Sequence, residues 1–255
     1  MHLSRDLKIQ DLDNLSELYL DKDLYKPIIR RFYELKELYL DPSNISDEKE
    51  MYFMYRGITL PEVKDDLEKE QLRIDLTVLD NIKVGKEFNK THGHHHPEAS
   101  PGRTFPEIYT VLKGRVLFLL QKNELELVED VMATELNEGE WILIPPNYGH
   151  LMVNLNNGVS ITLNIVSNRF VSIYETYRRL KGGAYYVTEE GLIANRNYKI
   201  NCSLRFVRSK FYLNNLIENI KLNDKYIKAL NRPYIIRDYS EFYEETTEKK
   251  FPLLA

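Results

Sequence analysis

The chain has 255 residues, 43% of them hydrophobic and 29% charged, enough for one large domain or two small ones, and a formal charge of −4. That balance argues against a general nucleic-acid binder, which carries a basic face. A single cysteine, Cys202, excludes an internal disulfide, no apolar run reaches the roughly 18 residues of a membrane span, and the N-terminus lacks a secretion signal's apolar core; a cytoplasmic protein is expected.

Residues 1–50 read as an N-terminal arm, helical or irregular. Leu15, Leu18, Tyr19 and Leu20, then Ile28, Ile29, Phe32, Tyr33, Leu35, Leu38 and Tyr39, recur at roughly helical spacing until Asp41-Pro42 ends the segment. Residues 51–200 change to strands: Met51–Tyr55, Leu72–Leu79, Ile108–Leu112, Val116–Leu120, Trp141–Pro145, His150–Asn154 and Val159–Val166. Lys113-Gly114, Asn137–Gly139, Pro145–Asn147 and Asn156–Gly158 punctuate them as turns. Short strands so spaced predict a mainly β barrel of jelly-roll type. Residues 201–255 read as a C-terminal helical extension, from Leu213, Leu216, Ile217, Ile220, Tyr226, Ile227 and Leu230, ending in a charged tail over 241–250.

Five of the six histidines fall in Thr91–Pro97 and Pro145–His150, with Glu107 opening the apolar run between them. Alternate side chains on a strand share a face, so His94 and His96 point together, as do Glu107 and Tyr109. With His150 they compose a three-histidine, one-carboxylate site for a divalent first-row metal. Structural zinc is disfavoured, since it usually recruits cysteine and closes every position. By parity His92 shares the face of His94 and His96, unless a bulge at Gly93 turns it away; His92 and His95 are expected to be bystanders.

The stretch Val84–His96, then Pro106–Tyr109, Leu112–Gly114 and Pro145–Asn154, resembles the cupin-type glucose-6-phosphate isomerases of archaea over about residues 25–200. The resemblance implies a cupin barrel (a double-stranded β-helix) and a homodimer. It also implies one divalent ion per subunit, Fe2+ before Mn2+, Ni2+, Co2+ or Zn2+, on His94, His96, Glu107 and His150. Phosphate and sugar contacts carry over to Tyr52, Thr77, Thr91, Gly93 and Tyr109, with Glu107 and Tyr109 as catalytic groups. Two features depart from the family pattern. Val166 and Ser172 stand where a tyrosine and a histidine are usual, with Tyr174 and Tyr177 nearby, and Pro97–Phe105 lengthens the loop before Glu107.

The activity so implied interconverts glucose 6-phosphate and fructose 6-phosphate. A Lewis acid and a carboxylate base would carry it through a cis-enediolate. A hydride shift is the rival route. An iron cupin dioxygenase uses the same ligands but favours an apolar cavity, and a non-catalytic sugar-binding cupin would tend to lose ligands that are all present here. The expected partner is a small sugar phosphate, not nucleic acid or membrane.

Overall fold

The computed structural model describes residues 18–20, 23–246 and 251–254 of the chain. Two sheets face each other. The first contains β1 (Ile28–Arg31), β2 (Glu50–Ile58), β3 (Leu72–Leu79), β4 (Glu107–Lys113), β7 (Trp141–Ile144) and β9 (Ser160–Ser167), in the order β7-β4-β9-β3-β2-β1. The second contains β5 (Arg115–Glu124), β6 (Leu127–Asn137), β8 (Gly149–Asn154), β10 (Leu204–Ser209) and β11 (Tyr243–Glu245), in the order β8-β5-β6-β10-β11. This is the mainly β barrel that the strand pattern implies, and the cupin architecture that the resemblance implies.

Alternation decides what each sheet presents to the barrel. On β3, Leu72, Ile74, Leu76 and Val78 point outward into a core shared with the C-terminal segment. Arg73, Asp75 and Thr77 therefore point inward, two residues apart. On β9 the outward set is Ile161, Leu163 and Ile165, and on β4 it includes Ile108 and Leu112. The inner core packs Met54, Tyr109, Val116, Phe118, Leu120 and Met152 between the sheets. A third cluster covers the back of the second sheet, with Leu117, Leu119, Leu151 and Val153 against Tyr177, Leu180 and Ala184. Both faces of both sheets are covered, so the strands read as nearly continuous apolar runs.

Two expectations are corrected. The arm over 1–50 is not mainly helical in its described part: Leu18–Leu20 pairs with Asp23–Tyr25, and Ile28–Arg31 pairs with β2, leaving α1 (Phe32–Leu35) as one turn. Leu15 lies outside the described residues. Phe32, Leu35, Leu38 and Tyr39 do bury together at the inner core, which is why their spacing mimics a longer helix. The extension over 201–255 is likewise mixed. It begins with β10, parallel to β6, because Leu204 and Phe206 alternate into the outer cluster. Only then come α4 (Leu216–Lys221) and α5 (Lys225–Ala229), taking α2 (Lys64–Lys69) and α3 (Glu175–Arg179) as the preceding helices. Asn215 and Asp224 cap the starts of α4 and α5 by accepting backbone N–H bonds. The tail forms β11 as far as Glu245, and its residues 247–250 lie outside the described residues. Among the described residues no helix is long and apolar enough to cross a membrane.

Candidate metal centre

The histidine segment lies along the edge strand β8. Thr91 N donates to Met152 O at 2.9 Å, and His94 and His150 exchange backbone bonds at 3.1 and 3.0 Å. Three steps along one strand match two along the other, so an extra residue bulges out at Gly93, whose φ is +78°. A Cβ there would stand 2.5 Å from the Tyr177 ring. Glycine is thus required both by the backbone angle and by the ring packed on it.

That geometry brings His94, His96, Glu107 and His150 together, with one donor atom of each lying within 4.8 Å of the others. Glu107 Oε2 stands 3.2 Å from His96 Nε2, 3.3 Å from His150 Nε2 and 3.9 Å from His94 Nε2. His96 Nδ1 lies 2.7 Å from the Phe105 carbonyl, which holds the proton on that side and leaves Nε2 as a lone pair facing inward. His94 and His96 then oppose Nε2 atoms 3.1 Å apart. Glu107 Oε1 accepts from Asn164 Nδ2 at 2.7 Å, whereas buried Oε2 has no hydrogen-bond donor. An orphaned carboxylate oxygen ringed by imidazole lone pairs fits a cation at their centre.

The electrostatics agree. Burial, reinforced by the neighbouring imidazoles, holds His94 well below the ordinary histidine range, and burial also lowers His150. Neutral imidazole is the ligating form. Burial alone would raise the Glu107 carboxyl, but His150 and His96 outweigh it and hold the group well below the usual carboxylate range. Burial and then Glu107 push the Tyr109 hydroxyl well up, so it stays protonated; its oxygen lies 3.2 Å from His150 Nε2.

These residues border a cavity that also takes in Tyr52, Thr77, Thr91 and Gly93. Every residue expected from the sequence to bind metal or substrate therefore borders one cavity. Tyr52 Oη accepts from His92 N at 3.3 Å, and Thr91 Oγ1 accepts from Met152 N at 3.0 Å. His92 also borders the cavity, but its Nδ1 turns to the Gly93 carbonyl at 3.1 Å and it is outside the donor set. His95 points away, wedged against Gly149 and Tyr177. Val166, Ser172 and Tyr174 line the cavity, while Tyr177 does not. The lengthened loop folds as a hairpin, Glu98–Ser100 with Arg103–Thr104, and Arg103 Nη1 ties it to the carbonyls of Pro233 and Ile236 at 3.1 and 2.7 Å.

Sequence reasoning missed Arg56, Arg73, Asp75 and Asn164. A signal existed: Arg73, Asp75 and Thr77, and Ser160, Thr162 and Asn164, are period-two polar stripes in strands otherwise apolar.

A family model described as glucose-6-phosphate isomerase matches residues 29–203. The chain is 32% identical over 144 residues to the glucose-6-phosphate isomerase of Thermococcus kodakarensis, covering 55% of this chain and 69% of that one. It is 29% identical over 167 residues to the enzyme of Thermococcus onnurineus, 65% of this chain and 82% of that one. The Pyrococcus abyssi protein of the same name is 32% identical over 143 residues, 55% and 69% of the two chains. The matched span holds the whole four-donor set and the strands that carry it, and the chain belongs to the glucose-6-phosphate isomerase family.

Proposed function

We propose that the protein interconverts glucose 6-phosphate and fructose 6-phosphate, with a divalent metal on His94, His96, Glu107 and His150. The observation that carries this reading is the orphaned Glu107 Oε2 among three imidazoles, in the wall of a cavity lined by hydroxyls. A bound ion, Fe2+ as first choice, supplies Lewis acidity to the negative charge that develops on the two adjacent sugar oxygens.

The chain's own groups handle the protons. Glu107 takes the proton from C2 of the aldose as the C1–C2 double bond forms, and later returns it to C1. Asn164 keeps Oε1 engaged throughout, and Oε2, a ligand in the resting site, becomes the base once substrate is bound. Tyr109, protonated and beside His150, donates to O1 as the first carbonyl opens and recovers a proton from O2 as the second forms. Atoms and charge balance around this cycle without an external oxidant. The polar lining, with Tyr52, Thr77, Thr91 and Arg73, favours a sugar over the apolar substrate and gas of a dioxygenase. A homodimer in the cytoplasm completes the proposal.

The test is a coupled assay of fructose 6-phosphate conversion before and after EDTA. Loss on chelation and recovery with one of Fe, Mn, Ni, Co or Zn is the expected result. Inactivity in every metal-loaded form would reject the isomerase. Deuterium from solvent in the product separates the enediol route from a hydride shift.

A further inference from the structure

Ten residues, 97–106, separate the donors His96 and Glu107, and they are tied down rather than left as an open loop. Phe105 N donates to the Pro97 carbonyl at 3.1 Å, which closes the base of the hairpin. The Phe105 carbonyl in turn fixes His96 Nδ1 at 2.7 Å. The Phe170 ring lies against both partners, its centroid 4.8 Å from that of Phe105 and 4.4 Å from that of His96. The position of this one carbonyl therefore sets where the His96 imidazole points.

The hairpin that carries Phe105 has two anchors. Neighbouring residues of a strand project to opposite faces, so Arg103 and Thr104 reach in opposite directions. Thr104 meets the turn before His150. Its N–H donates to Asn147 Oδ1 at 3.0 Å, its Oγ1 accepts the Asn147 N–H at 2.7 Å, and Asn147 Nδ2 donates to the Gly102 carbonyl at 2.9 Å. Arg103 meets the C-terminal extension. Its Nη1 donates to the carbonyls of Pro233 and Ile236 at 3.1 and 2.7 Å, and Nη2 reaches the Arg237 carbonyl at 3.4 Å. Those carbonyls are themselves fixed. Pro233 begins a 3-10 turn and accepts a further bond from Tyr239 Oη at 3.1 Å, and Ile236 and Tyr239 are buried in the outer core. A planar guanidinium spans several carbonyls at set angles, whereas an ammonium is a point charge without that geometry.

We infer that Arg103 is a positioning residue for the metal centre, coupling the C-terminal extension to His96 through the hairpin and the Phe105 carbonyl; the inference rests on the metal reading of the four donors. Without the guanidinium, three carbonyls of the extension lose their shared donor and the hairpin loses one of its two anchors. The Phe105 carbonyl is then free to shift, and His96 Nε2 loses its set aim beside Glu107 Oε2, 3.2 Å away. On this account the extension does more than cover the outer face of the first sheet: it holds one metal donor in register with the others.

The experiment uses the full chain, stripped of metal and titrated with Co2+ against a competing chelator, with the visible spectrum recorded at saturation. Wild type is compared with Arg103→Met, which keeps an unbranched apolar stem and removes the fork. Arg103→Met should bind Co2+ about tenfold more weakly, the lower end of what loss of a ligand-orienting partner costs. Its cobalt spectrum should also change, because the donors no longer meet the ion at the same angles. A melting curve checks that the variant is folded. A merely structural Arg103 would lower the melting temperature and leave the cobalt affinity and spectrum of the folded protein unaltered, and that result overturns the inference. If Arg103→Met fails to fold, Arg103→Lys decides the matter by the same readouts, since lysine keeps the charge and loses the fork. A wild type that takes up no metal overturns the metal reading and the coupling with it. A wild type that binds Co2+ beside an equally tight variant overturns the coupling alone.

Discussion

Asn164 Nδ2 donates to Glu107 Oε1 at 2.7 Å, across the register that pairs β9 with β4. One amide thereby decides which carboxylate oxygen faces the imidazoles. Asn164→Ala leaves Oε1 buried and unsatisfied, freeing Glu107 to rotate. Metal affinity should fall by about 10–100-fold, the usual range for loss of such a partner. Competitive titration with a chelator measures it, and an unaltered affinity would show that the amide orients nothing.

Tyr109→Phe removes a hydroxyl without changing the ring's packing on Phe118. If the hydroxyl passes protons between O1 and O2, kcat should drop by about 10²-fold or more, the scale of general acid–base catalysis. Bound metal, counted by atomic emission, should not change. A variant that keeps full kcat would remove Tyr109 from the chemistry.

Two glycines separate backbone strain from crowding. Gly93 and Gly102 have φ of +78° and +73°, but a Cβ at Gly93 meets Tyr177 at 2.5 Å while one at Gly102 meets nothing within 4 Å. Gly102→Ala should therefore cost about 1 kcal/mol, the left-handed strain alone. Gly93→Ala adds overpacking and should cost about 3 kcal/mol, lowering the melting temperature by roughly 6–12 °C. Equal shifts in thermal melts of the two variants would contradict the packing of Tyr177 on the histidine segment.

Acid should destabilise the metal-stripped protein before it titrates ordinary carboxylates. Burial, then His150 and His96, push His95 from the ordinary 6.5 down to about 4. The unfolded chain then binds this proton first, so stability is lost as pH falls from about 6.5 and the loss levels off near 4. The full depression is worth on the order of 3 kcal/mol. Glu107, also held low, adds a loss of the same sign below its ordinary value of 4.5. Melting curves from pH 8 to 4 should slope downward through this window, and His95→Gln should flatten the upper part.

Truncation after residue 200 should abolish the soluble protein. Phe211, Leu213, Leu216, Ile220, Ile227, Leu230, Ile236 and Phe242 cover the outer face of Phe53, Tyr55, Ile74 and Leu76. At about 1.5–3 kcal/mol for each side chain, that burial is as large as the whole stability of a typical domain, about 5–15 kcal/mol. Recovery of a monodisperse, metal-binding 1–200 fragment by size exclusion would show the barrel to be self-sufficient.

Much of this was legible in the chain itself. Period-two alternation in Leu72–Leu79 and Val159–Val166 marks strands, and parity groups His94 with His96 and Glu107 with Tyr109 while leaving His92 on the same face, because a strand's side-chain direction is a local property. The resemblance over about residues 25–200 extends that reading to the hydroxyls of Tyr52, Thr77, Thr91 and Tyr109. Less was legible where an element's identity depends on its neighbour. Ile28–Arg31 has helical spacing and becomes a strand because β2 offers it a free edge. Leu204–Ser209 joins β6 for the same reason.

Composition and order of residues determined the barrel and the chemical character of its metal donors, since both follow from short-range periodicity and from the ligand preferences of single side chains. Tertiary structure alone decided which side chains meet. It paired Asn164 with Glu107, turned His92 to the Gly93 carbonyl, and gathered Arg56 and Arg73 on Asp75. Those contacts depend on register and on bulges at Gly57 and Gly93, where one added residue changes the face of everything beyond it.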